Sequence, residues 1–161
     1  MSDPVYELKI DGIEKLQKLL KKKPIPYVRI GVLGSSVRVD AKGTTNATVG
    51  AVHEFGSPTK GIPPRSFLRV PLIDFLGKRM DSSGFYNRET MEEVIRQRTL
   101  VPWLKKMAVL AEAIVAEAFA TGGFGKWPKW KNENYSNNAN QLLVDTGQLR
   151  NSITSEVVEE G

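Results

Sequence analysis

With 161 residues, 40% of them hydrophobic, the chain is long enough for one sizeable core, because a domain of this size removes roughly 70% of its unfolded surface from water. It has no cysteine and a single histidine, which excludes a disulfide framework, a thiolate nucleophile, a thiolate metal site and His–His ligation within one chain. Lys and Arg outnumber Asp and Glu by 23 to 18, a net charge of +5 that favours acidic partners without the dense basic clusters of a dedicated DNA reader.

Met-Ser-Asp-Pro at the start is polar, and no apolar run approaches the ~18 residues that span a bilayer, so neither a signal peptide nor a membrane partner is expected. Val5-Tyr6-Glu7-Leu8-Lys9-Ile10 alternates in polarity and predicts a half-buried strand. After Asp11-Gly12, the spacing of Ile13, Leu16, Leu19 and Leu20 predicts a helix that Pro24 and Pro26 end. Residues 27–33 alternate again and predict a second strand. The Gly-, Ser- and Thr-rich residues 34–46 predict a protruding loop. From Asn46, as cap, a short helix is expected to stop at Gly56. Pro71 opens another helix over Leu72, Ile73, Phe75 and Leu76, and residues 80–98 are expected to form a second protruding loop.

The strongest element is a helix from about Leu100 to Ala120. Leu100, Trp103, Leu104, Met107, Leu110, Ala111, Ile114, Val115 and Ala118 follow the i, i+3, i+4, i+7 pattern, with Pro102 at the start and Gly122-Gly123 at the end. Its alanines, including Ala108, Ala113, Ala116 and Ala120, allow a neighbour to approach closely. Residues 122–141 predict a third extended loop, followed by a helical turn near Gln148 and a closing strand from Ile153 to Val158. The expected architecture is one α+β domain over 1–161, a small antiparallel sheet packed against a long amphipathic helix and shorter helices. Charge is uneven: residues 12–23 carry five lysines against Glu14, whereas the last nine residues carry Glu156, Glu159 and Glu160 with no base. Such asymmetry suits head-to-tail attraction between copies, and equally a solvated basic face with an acidic tail.

Two blocks carry most of the information. The first joins Val-His-Glu-Phe-Gly at 52–56 to Ile-Pro-Pro-Arg-Ser-Phe-Leu-Arg at 62–69. The second is Gly-Gly-Phe-Gly-Lys-Trp-Pro-Lys-Trp at 122–130 with Leu-Val-Asp-Thr-Gly-Gln-Leu-Arg-Asn-Ser-Ile at 143–153. One imidazole beside one carboxylate, His53 and Glu54, supplies neither a ligand set nor a nucleophile with its base, so no catalytic residue, metal or cofactor is expected. In Lys126-Trp127-Pro128-Lys129-Trp130-Lys131, basic and aromatic residues interleave as they do in single-strand nucleic-acid grooves. Packing of the tryptophans onto the body is the plainer alternative.

Together the blocks resemble tailed-bacteriophage neck and tail-completion proteins of the virion morphogenesis type. The resemblance implies an α+β subunit that forms a ring, expected to be a hexamer, in the virion neck and is assembled in the host cytoplasm. It implies other neck, connector and tail-tube proteins as partners, and non-specific contact with genomic DNA through Lys126, Lys129 and Lys131. Within that frame, His53, Glu54, Phe55, Arg65, Phe67, Arg69, Trp127, Trp130 and Arg150 are the expected subunit contacts, since a Pro-stiffened loop bearing Arg and Phe has the composition of an interface hot spot. The competing expectation is that Phe67 and Leu68 fill the core while the arginines are solvated. A tail terminator that caps tube growth, a nucleic-acid-binding module and, last, a hydrolase using His53 and Glu54 are the alternative functions.

Overall fold

The structure, a computed structural model, describes residues 4–21, 24–33, 43–129, 143 and 147–159. Within them lie six helices and a two-stranded antiparallel sheet, the α+β class that the sequence predicts. In chain order these are α1 (Pro4–Lys21), β1 (Tyr27–Val32), α2 (Asn46–Phe55), a 3-10 turn (Pro58–Lys60), α3 (Arg69–Ser82), α4 (Arg88–Gln97), α5 (Val101–Thr121), α6 (Gln148–Asn151) and β2 (Ile153–Val158).

The organising element is α5, which packs against both strands and against α3 and α4. Its side chains Val101, Leu104, Ala108, Ala111, Ile114, Val115, Ala118 and Phe119 are buried, in the phase set by the predicted stripe. Pro102 falls at the start, where its missing N–H has no helical partner to lose, and Gly122 ends the helix in the left-handed conformation (φ 64°, ψ 47°). Of its alanines, 108, 111 and 118 face the core while 113, 116 and 120 are exposed.

Strands β1 and β2 pair from Tyr27 opposite Val158 to Val32 opposite Ile153. Ile30, Val32 and Ile153 lie on the cluster of Phe67, Val115, Ala118, Phe119, Trp127, Leu143 and Leu149. Val28 and Val157 lie on a second cluster of Val94, Leu100 and Leu104, which Leu16 and Leu19 of α1 also cover. Each large side chain so buried contributes about 1.5–3 kcal/mol relative to exposure.

Three expectations are corrected. The strand expected at residues 5–10 is the beginning of α1, which runs unbroken through Asp11-Gly12. Six alternating residues also hold Val5 and Leu8 three apart, and that phase continues through Gly12, Leu16 and Leu19, so the 3.6-residue period prevails. Gly12 lies against α4, where a Cβ would stand 3.4 Å from Ile95 Cδ1.

The loop expected over 80–98 contains α4. Asn87 caps it by accepting from Thr90 N–H at 2.8 Å, and Val94 and Thr90 are buried. Its apolar set is only Met91, Val94 and Ile95 in a charged segment, too thin a stripe to stand out. Finally, α2 is capped by Thr45, whose Oγ1 accepts from Thr48 N–H at 3.1 Å, rather than by Asn46. Of the other two expected loops, residues 34–42 and 130–141 lie outside the described residues, whereas 122–129 form turns folded back onto the body.

Candidate functional site

The first motif block begins in the last turns of α2. Gly56 breaks the helix at φ 79°, and a Cβ there would stand 2.9 Å from Pro64 N and 3.0 Å from Ile62 O, so only glycine lets the returning chain pass this close. That return is fixed by Ser57 N–H to Ile62 O (2.8 Å), Ile62 N–H to Ser57 O (2.9 Å) and Arg65 N–H to His53 O (2.7 Å). Pro63 and Pro64 carry the chain across as an extended segment that delivers Arg65-Ser66-Phe67 to the start of α3.

Glu54 occupies the N-terminus of α3. Its buried carboxylate accepts from Phe67 N–H (3.0 Å), Leu68 N–H (3.1 Å), Arg69 N–H (3.0 Å) and the Ser66 hydroxyl (2.6 Å). Ser66 Oγ accepts in turn from Val70 N–H at 2.9 Å. The otherwise unpaired first amides of a helix are thus satisfied by one carboxylate and one hydroxyl, placed where the helix dipole favours negative charge.

Arg65 is only 1% exposed. Its Nε donates to Pro128 O at 2.8 Å and its Nη2 to Lys129 O at 3.1 Å. Trp127 answers from the second block: its indole N–H donates to Ser66 O at 3.0 Å, and its ring lies edge-on to Phe119, with centroids 5.9 Å apart. Phe119 also meets Phe67 at 5.1 Å. Gly123 (φ 69°) leaves the space that Trp127 fills, since a Cβ there would collide with the indole. Leu143 and Leu149 of the second block close the same cluster.

The two blocks therefore interlock inside one chain, and this corrects the interface expectation for Glu54, Arg65, Phe67 and Trp127. All four are buried, and two of them, Glu54 and Trp127, only line a hollow. The expected solvation of the arginines fails for Arg65 and holds for Arg69. Trp127 is likewise unable to stack on a base. His53 is half-buried, and burial together with the nearby Arg65 guanidinium lowers its pKa from the ordinary 6.5. Lys126 Nζ pairs with Asp74 Oδ2 at 3.3 Å, Lys129 is exposed while its carbonyl holds Arg65, and Arg150 is exposed on α6. Trp130 and Lys131 lie outside the described residues.

What the joint leaves outside is a patch. Phe55 is 66% exposed, the Arg69 guanidinium stands 6.0 Å from its ring centroid, and Ile73, one turn along α3, is 73% exposed. Beside it a hollow of about 260 Å³ is lined by Arg69, Pro71, Phe75, Phe124, Lys126 and Trp127 among others. Ile73 was not anticipated as a contact, although its place four residues after Arg69 on a helix signals a shared face. The capping role of Glu54 was also missed; Ser66 four residues before Val70 was its only sequence trace.

Among the described residues no cluster of three His, Cys, Asp or Glu side chains could hold a metal ion, and no helix is long and apolar enough to cross a membrane. Compared with known proteins, the chain matches no family model, no curated protein and no solved structure.

Proposed function

We propose that this chain is a structural protein of a phage virion neck, completing the tail or joining it to the head as a ring around the DNA channel. The observation that carries the reading is the interlock of the two blocks on which the resemblance rests. Arg65 holds the carbonyls of Pro128 and Lys129, and Trp127 holds that of Ser66, across more than sixty residues of chain. Residues spent on a rigid internal joint serve a subunit that must hold its shape under load.

The joint also holds Phe55, Arg69 and Ile73 in fixed relation on the surface, the aromatic-plus-arginine composition of a contact hot spot. Because the patch is preorganised, little side-chain freedom is lost when a neighbour docks. In this reading these three residues form the contact between adjacent subunits. Native mass measurement of the purified protein tests it: the wild type is expected as a closed multiple of the 17.9 kDa chain, and Phe55→Ser with Ile73→Asp is expected to stay folded and lose the ring mass, running no larger than a dimer. A double variant that keeps the wild-type mass removes this patch from the contact.

A further inference from the structure

The two strands differ at their outer edges. In an antiparallel ladder, opposed residues alternate between exchanging both backbone hydrogen bonds and exchanging none. Ser155 lies opposite Ile30, yet its N–H leaves the ladder and donates to Glu112 Oε1 of α5 at 2.8 Å, and its hydroxyl donates to the same oxygen at 2.5 Å. Ile30–Ser155 is therefore a non-exchanging pair. Two residues to either side, so are Val28–Val157 and Val32–Ile153. The N–H and C=O groups of Val28, Ile30 and Val32 consequently point away from β2, and among the described residues no hydrogen bond reaches them.

Glu112 thus closes the outer edge of β2 at its midpoint, while among the described residues nothing pairs with the outer edge of β1. Protein edges are ordinarily blunted by proline, inward-pointing charge or a bulge. β1, Tyr-Val-Arg-Ile-Gly-Val, has no proline, and its inward residues are Val28, Ile30 and Val32. Tyr27 at its start and Ile25 just before it are exposed apolar side chains.

An open edge recognises one chemistry, an extended backbone with unpaired groups of its own. A second copy of this chain supplies it in β1, but not in β2, because Glu112 occupies that edge. Head-to-tail growth of β1 onto β2 is therefore blocked, leaving the self-complementary pairing of β1 with β1 across a two-fold axis. Centred on Ile30, this register sets Val28 against Val32 and Arg29 against Gly31. The two Arg29 guanidinium groups, each paired with Glu156 of its own chain, are then not opposed.

We propose that β1 pairs with β1 of a second copy, making a continuous four-stranded sheet in the order β2-β1-β1-β2. The pairing uses none of the atoms of the Phe55 patch and stands independently of the ring reading. Amide hydrogen exchange by NMR, read residue by residue against protein concentration, tests it. Tyr27, Arg29 and Gly31, whose N–H groups face β2, are expected to be protected at every concentration. Val28, Ile30 and Val32 are expected to exchange freely in the dilute monomer and to slow by at least about tenfold as dimer forms, as buried amides do. The same slowing is expected in the Phe55→Ser, Ile73→Asp background, so that failure of the ring contact and failure of this pairing are distinguishable. Free exchange of Val28, Ile30 and Val32 at every concentration, whether or not sedimentation finds dimers, overturns the proposal, and so does full protection already in the monomer.

Discussion

Glu54 is the residue on which the joint turns, because four donors converge on its carboxylate. A glutamine is nearly the same size but exchanges one acceptor oxygen for an NH₂ group that faces amide donors. Glu54→Gln is expected to lower the unfolding free energy by about 2–4 kcal/mol, measured as a shift of the urea midpoint; an unchanged midpoint would count against the cap. His53 supplies a second residue-scale test. Its folded pKa is depressed below 6.5, so the unfolded chain binds more protons as pH falls past that value. Its contribution to stability is therefore complete above pH 6.5 and is lost as pH drops towards the folded pKa. Between about pH 7 and pH 5, His53→Gln is expected to lose less stability than the wild type, and equal losses would show that His53 is not the group responsible. The sequence marked both residues but not their roles. Arg, Phe and Trp on a stiff loop compose an interface hot spot and a buried staple alike, and only the direction in which the loop faces separates the two.

Among the elements, α5 and both strands were legible because their apolar periods are long or regular and their boundaries carry Pro and Gly. The start of α1 was not, since six residues fit a period of two as well as a period of 3.6 until the later turns are considered. α4 was hidden for a different reason: its cap at Asn87 and its buried Val94 and Thr90 are local signals in a segment dominated by charge. The sequence predicts an extended loop from residue 122, whereas Gly123 is there to admit the Trp127 ring. Gly123→Ala adds a methyl group into that ring at a backbone angle that only glycine adopts without strain. It is expected to cost about 3 kcal/mol or more and to raise the fluorescence exposure of Trp127; full stability with a buried indole would contradict the packing described.

At the scale of the whole molecule, the joint divides the chain's chemistry into an inside and an outside. The signature residues hold α2, the start of α3 and the turn after α5 as one body, and the surface keeps Phe55, Arg69 and Ile73 as one patch and, among the described residues, the unpaired edge of β1 as another. The net charge of +5 suits acidic partners, and among the described residues the Lys126–Asp74 pair and the burial of Trp127 withdraw two members of the basic-aromatic stretch from a stacking groove. The neck reading makes its strongest demand on the virion. Electron microscopy of particles from a phage in which this gene carries an amber codon measures that demand most directly. Filled heads and finished tails accumulating unjoined is the expected result, with overlong tails assigning the chain to the terminator position in the same neck. Complete, infectious virions assembled without the protein would contradict the account.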